Sequence, residues 1–326
     1  MSGALQARQI DRAITVTLVV PIFNEATTIV LFLQRIQAVF ESTPRLKGEV
    51  LFVNDGSTDD TLDVILGQRS NFAPLAIHAL DLSRNFGKEA ALAAGLAEAT
   101  GEVVIPIDVD LQDPPELIPV MIEQWEKGYD VVLARRVDRS RDPLMKRLTA
   151  DWFYRLHNAI SDPPLPANVG DFRAMDRTVV DVLKSLPETQ RFMKGLFAWV
   201  GFRSCLVDYS RPKRSAGQSK FNSWKLWNFA LEGITSFSAA PLRMWTYLGG
   251  LISLASFIFA ATIVVRVWVY GVDVPGYASL MVAVTFFGGI QLIGIGALGE
   301  YLARTYMESK RRPLYVIRRR YTDSST

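Results

Sequence analysis

A single cysteine, Cys205, is all that 326 residues provide, which excludes an intrachain disulfide framework and a cysteine-rich metal site. Cys205 lies in an alternating, strand-like run at 202–209, so it reads as a small packed residue rather than a nucleophile. Histidine is nearly as scarce. His78 and His157 share no ligand spacing, which argues against a zinc site or a histidine-based triad. An excess of one charge is also missing: 36 basic against 33 acidic residues leave a net charge of +3, which gives no reason to expect nucleic acid as a partner. No Gly-x-Gly-x-x-Gly follows the first apolar run, so a dinucleotide-binding oxidoreductase lacks its fingerprint. Repeats and low-complexity segments are absent. The N-terminal apolar run, 14–20, is seven residues long and leads into Pro21, so it reads as a buried strand and not as an export signal.

The first half does contain short continuous apolar runs, at 14–20, 50–53, 76–80, 103–107 and 131–133. Amphipathic segments near 28–40, 61–68, 88–99 and 116–127 lie between them. That alternation predicts an α/β fold, with a mostly parallel sheet covered on both faces. Ligands of such sheets bind beyond the carboxyl ends of the strands. The polar motifs sit there: Asn24-Glu25 after the first strand, Asn54-Asp55 after the second, Asp108 and Asp110 after the fourth.

Charge patterning says more than net charge. Residues 211–225 hold five basic and no acidic side chains, and 304–320 hold seven basic against Glu308 alone. Both runs flank apolar segments, where anionic headgroups would attract them. Residues 245–265 are 21 without a charge and 278–299 are 22 without a charge, each long enough for a hydrocarbon core of ~30 Å. The loop between them, 270–277, has no Lys or Arg. The positive-inside rule then puts both termini and the N-terminal domain in the cytoplasm. The aromatic-rich stretch at 224–240 suits the membrane interface. Gly249, Ser253, Gly288, Gly289, Gly294 and Gly296 would allow close helix packing. The expected organisation is a domain at 1–222, interfacial helices at 223–241, two membrane helices at 242–303 and a basic cytoplasmic tail at 304–326.

The most informative stretch is Asp108-Val109-Asp110-Leu111-Gln112-Asp113-Pro114-Pro115. Two carboxylates at i, i+2 and an amide close a buried strand, and the prolines then open a helix. Oxygen donors of this kind suit Mg²⁺ or Mn²⁺, which take one or two protein carboxylates and fill other positions with substrate phosphates. Asp55 and Glu25 supply acceptors that a base and ribose need.

The set PIFNE, VNDGSTD, RNFGKEAAL, DVDLQDPPE, GDFRAMDR and RSAGQSKF resembles the family 2 glycosyltransferases of GT-A (Rossmann-like) fold. More narrowly it is similar to the polyprenyl-phosphate glycosyltransferases, namely dolichol-phosphate mannose synthases and bacterial bactoprenol glucosyltransferases. The resemblance covers almost the full length. It implies that Asp110 and Gln112 hold the metal, with Asp108 near the ribose or as a further ligand, and that Pro21, Glu25 and Asp55 hold the nucleoside. A loop of Arg84, Asn85, Gly87 and Lys88 would close over base and ribose, although Lys88 also fits a surface charge at a helix start. Asp171 would face the acceptor and the anomeric carbon, as a base or as an orienting group. Arg135, Arg147, Arg211, Arg214 and Lys220 are the candidates for binding diphosphate or acceptor phosphate, with surface ion pairs the competing reading for Arg135 and Arg147.

The resemblance implies an inverting transfer of a sugar, glucose from UDP-glucose foremost, to undecaprenyl or another polyprenyl phosphate at a bacterial inner membrane. Homo-oligomers, a tetramer among them, fit the family. The alternatives are transfer of mannose from GDP-mannose and a non-enzymatic membrane scaffold. A processive polysaccharide synthase would carry Gln-x-x-Arg-Trp, whereas Gln190 is followed by Arg191, Phe192, Met193, Lys194 and Gly195.

Overall fold

A computed structural model describes residues 6–137, 168–188, 191, 193–210 and 276–322, and scattered helical positions between 245 and 270. Its centre is an eight-stranded sheet of order β7-β5-β6-β4-β1-β2-β3-β8. The strands are β1 (Ile14–Ile22), β2 (Leu46–Asn54), β3 (Ala76–Leu82), β4 (Val103–Pro106), β5 (Val131–Arg136), β6 (Val169–Asp176), β7 (Ser204–Tyr209) and β8 (Ile317–Tyr321). The five apolar runs read as strands form β1 to β5. The four amphipathic segments between them form α1 (Ile29–Glu41), α2 (Thr61–Gln68), α3 (Lys88–Glu98) and α4 (Ile118–Glu126), the last entered through one 3-10 turn, Pro115–Leu117. Two further helices follow, α5 (Arg177–Ser185) and α6 (Met193–Trp199).

Alternation along the strands builds two cores. Val16, Leu18 and Val20 join the cluster under α1, α2 and α4. Val19, Leu51 and Val53 join the cluster under α3, α5 and α6 on the other face. Burial on both faces explains why these strands read as unbroken apolar runs. β1 pairs in parallel with β2 and β4, β2 with β3, and β5 with β7.

Two strands differ from the sequence reading. Residues 169–176 are not among the apolar runs read as strands; they form β6, antiparallel between β4 and β5. Asp171, Arg173 and Asp176 break its apolar run and hid it. Asp176 ends the strand and starts the next helix: its carboxylate accepts from the Thr178 N–H at 2.9 Å and caps α5. At the far edge, residues read as part of a basic tail form β8, antiparallel to β3. Backbone pairing and the inward sides of Ile317 and Tyr321 make this strand, and an arginine-rich composition reveals neither.

A last helix, α7 (Tyr277–Ser309), runs for 33 residues. Its segment Phe286–Ser309 contains an 18-residue window of mean hydropathy 1.3 and is, by length and composition, able to cross a membrane. It is the one such helix among the described residues. The other expected span, 245–265, falls partly outside them, and every described position between 245 and 270 is helical. Of the glycines expected to favour packing, Gly294 faces Trp245, whose ring lies 3.6 Å from where a Cβ would stand. Gly249, Gly288, Gly289 and Gly296 have open space.

Candidate active site

Small residues bring α3 down onto the sheet. Ala90 to Leu96 are all buried, and a Cβ on Gly95 would stand 2.2 Å from Val19 Cγ1. That close approach sets the first turn of α3 beside the carboxyl ends of β1 and β4 and the amino end of the antiparallel β6. The Lys88 ammonium there donates to Asp108 Oδ1 at 2.8 Å and to Asp171 Oδ2 at 2.9 Å. Burial works against the charge on Lys88, but Asp108 and Asp171 outweigh it and hold the ammonium protonated well above its usual range. Burial likewise opposes the charge on Asp171. Lys88, Lys194 and Arg173 more than offset it and keep that carboxyl below the usual range. Asp171 Oδ1 is buried with no hydrogen-bond partner, so one acceptor of this carboxylate is left unsatisfied.

Two neighbours escaped the sequence reading. Arg173 is 4% exposed, lies 4.0 Å over the Phe197 ring and donates to the Gly170 carbonyl at 2.6 Å; burial pulls its guanidinium down to about 10. Glu89 accepts the Met193 N–H at 2.9 Å and so ties α3 to the start of α6. Burial, then the charge of Asp171, lifts the Glu89 carboxyl from 4.5 to about 7. A raised carboxyl contributes stability below its unfolded value that is lost as pH rises through its folded value. Glu89→Gln keeps an acceptor for Met193 and removes that titration. The variant is expected to be more stable than the parent at pH 8 by about 1–3 kcal/mol, with the gap closing towards pH 4. Unfolding midpoints at both pH values check this; a gap independent of pH contradicts it.

The turn after β4 is built by its own side chains. Asp110 accepts from the Gln112 backbone N–H at 3.1 Å and from Gln112 Nε2 at 2.8 Å, with Leu111 between them at φ +58°. A branched side chain at positive φ is held there by its surroundings. Asp113 accepts from the Tyr209 hydroxyl at 2.7 Å and pins the turn to β7. Among the described residues no group of three or more His, Cys, Asp or Glu stands ready for a metal. The candidate set is two carboxylates and an amide oxygen, Asp108, Asp110 and Gln112. That is the partial oxygen shell that Mg²⁺ completes with substrate phosphates. Together with the unpartnered Asp171 oxygen, the donor chemistry fits a hard divalent cation bound with substrate.

The ends of β1 and β2 are laced together. Asn24 Oδ1 accepts from the Thr58 N–H at 2.8 Å, and the Glu25 N–H donates to Thr61 Oγ1 at 2.9 Å. Pro21, next to last in β1, lies opposite Val53, and the Glu25 carboxylate is near Thr28 Oγ1 at 3.4 Å. Asp55 is 3% exposed and accepts from the Phe86 and Gly87 N–H groups at 2.7 and 2.9 Å. Burial raises its carboxyl pKa, and those two bonds oppose the rise. Asp55 therefore holds the 84–87 loop. Asn85 lies on that loop, exposed. Gly56 makes the close approach possible: at φ +67° its Cβ position would be 2.5 Å from the Arg84 carbonyl carbon. Gly56→Ala is expected to cost about 2–4 kcal/mol of stability, from backbone strain and overlap together. A thermal midpoint within 1–2 °C of the parent, about the effect of a few tenths of a kcal/mol, would contradict this.

Arg135 Nε and Nη2 donate to Asp208 on β7 at 2.6 and 2.9 Å, so it forms an exposed pair along the sheet and not part of the Lys88 cluster. Arg147, Arg211, Arg214 and Lys220 lie outside the described residues. The structure thus brings Lys88, Asp108 and Asp171 into contact, with the Asp110–Gln112 turn following directly on Asp108.

Residues 17–183 match glycosyl transferase family 2. The chain is 52% identical over 304 residues to the prophage bactoprenol glucosyl transferase homolog of Escherichia coli (strain K12), covering 93% of this chain and 98% of that protein. It is 53% identical over 303 residues to the bactoprenol glucosyl transferase of Shigella phage SfV, covering 93% and 98%. A solved mannosyltransferase from Pyrobaculum calidifontis is 19% identical with a TM-score of 0.47, covering 91% of this chain and 89% of that one.

Proposed function

Because the chain belongs to glycosyl transferase family 2, we propose that it is a membrane-bound inverting transferase that moves glucose from UDP-glucose to undecaprenyl phosphate or a related polyprenyl phosphate. The observation that carries this reading is the Lys88 ammonium held between Asp108 and Asp171 at the carboxyl ends of a largely parallel sheet. An apolar helix, α7, joined through β8 to that same sheet supports a lipid-borne acceptor.

An oxygen of the lipid phosphate attacks the anomeric carbon. The bond from that carbon to the diphosphate oxygen breaks on the opposite side, UDP departs with the bonding pair, and a β-linked polyprenyl monophosphate sugar remains. The acceptor phosphate is already ionised at neutral pH, so no proton has to be removed from it. Asp171, held ionised by Lys88, therefore orients sugar or acceptor and does not serve as a base. Lys88 offsets negative charge where the sugar, the diphosphate and two carboxylates converge. Mg²⁺ or Mn²⁺ is the cofactor this reading requires. Asp108, Asp110 and Gln112 would hold it, and it would neutralise charge on the leaving diphosphate. Pro21, Glu25, Asp55 and Asn85 border the nucleoside, while Arg135, Arg147, Arg211, Arg214 and Lys220 remain proposals for phosphate contacts.

Two spans at 242–303 with a cytoplasmic catalytic domain would keep the site at the depth of the lipid phosphate in a bacterial inner membrane. The glycines of α7 with open space around them are compatible with a homo-oligomer, such as a tetramer. UDP release from UDP-glucose, followed with the purified protein, tests the reading. It predicts release that depends on added undecaprenyl phosphate. Equal release without lipid would make the protein a hydrolase, and lipid-dependent release from GDP-mannose alone would replace the donor.

A further inference from the structure

β8 touches the sheet where the nucleotide-side loop begins. The Ser83 N–H donates to the Val316 carbonyl at 2.9 Å, and the Arg318 guanidinium donates to the Ser83 carbonyl at 2.8 Å. The same guanidinium stands 3.4 Å from Asp81 Oδ2, a carboxylate that is only 5% exposed. Asp81 Oδ1 in turn accepts from Asn54 Nδ2 at 2.8 Å, and the next residue, Asp55, holds the Phe86 and Gly87 N–H groups. Arg318 therefore grips both anchors of the 83–87 loop: its first residue directly, and Asp55 through Asp81 and Asn54. Lys88 follows that loop immediately. The same amino end of β8 follows α7 by a few residues, so the helix and the loop are joined through the start of one strand. Arg320, on the same strand, makes a bidentate pair with Glu98 at 2.9 and 3.2 Å, at the opposite end of α3 from the loop.

We infer that Arg318 is a positioning residue, through which the C-terminal strand fixes the 83–87 loop in the form that receives the nucleotide. That the loop meets a nucleotide rests on the function proposed above; that Arg318 orders it does not. The experiment therefore has two readouts, both on full-length protein in detergent. In Arg318→Ala, amide hydrogen exchange in a peptide spanning 83–88 is expected to speed up by about three- to tenfold, the range a partly exposed ion pair with hydrogen bonds supports. KM for the nucleotide sugar should rise by a similar factor. The kcat and the KM for polyprenyl phosphate should hold, and Arg318→Lys should recover part of the loss. Arg320→Ala, which removes a β8 contact remote from the loop, should change neither readout. Unchanged exchange at 83–88 in Arg318→Ala overturns the inference. So does equal acceleration in Arg320→Ala, because general loosening of β8 would then explain it. Faster exchange in a protein whose parent form takes up no nucleotide sugar would uphold the contact and overturn the proposed function instead.

Discussion

Lys88→Met is expected to lower sugar transfer by about 100- to 1,000-fold, the scale of losing one preorganised charge in a site of this kind. Methionine keeps the length of the side chain and removes its charge, so packing at the start of α3 changes little. Asp108 and Asp171 both bond to the one Lys88 nitrogen, and without it they face each other uncompensated. Like charges that close cannot both stay ionised at the original cost, and one carboxyl must shift upward. Asp171 is the one that moves. Burial already pushes its carboxyl up, and Lys88 is the first of the charges that hold it down. The residual rate of Lys88→Met should thus climb with pH more steeply than the parent rate, as Asp171 ionises. Rate–pH profiles of both proteins from pH 5 to 8 check this. A variant within about threefold of the parent at all pH values would remove Lys88 from the chemistry.

Asp110→Ala is expected to cost about 10²–10⁴-fold in transfer, the loss of a charged ligand that helps neutralise the leaving diphosphate. The substitution also frees the Gln112 backbone N–H and Nε2, so it loosens the turn as well as the cation site. Asp110→Asn separates the two effects. Its amide oxygen can still accept the Gln112 N–H, while the charge that binds a cation is gone. The account expects Asp110→Asn to be nearly as impaired as Asp110→Ala and to need more Mg²⁺ for half-maximal rate. Recovery to parent activity in Asp110→Asn would make Asp110 a turn-former only.

Much of the fold was legible because burial on both faces leaves a simple trace. β1 to β5 and α1 to α4 coincide with runs that composition and periodicity mark directly. β6 was not legible, since Asp171, Arg173 and Asp176 interrupt it and its pairing partners are distant in sequence. β8 was hidden for a related reason: three consecutive arginines read as a solvated tail, yet their backbone completes a sheet edge. The candidate site shows the same division. The spacing of Asp108, Asp110 and Gln112 follows from a strand end and a turn, which local sequence records. The bond from Lys88 to Asp171 spans 83 residues and depends on how closely Gly95 lets α3 approach Val19. Glu89 and Arg173 carry no spacing signal, because desolvation and charge at a tertiary contact set their character.

The most direct test of the whole account is transfer of radiolabelled sugar into organic-extractable lipid. Purified full-length protein would receive undecaprenyl phosphate, Mg²⁺ and, in turn, labelled UDP- and GDP-sugars, with and without EDTA. The account predicts labelled lipid from UDP-glucose that disappears on chelation. Folded protein that binds nucleotide yet labels no lipid from any donor, or that labels lipid equally well in EDTA, would contradict it.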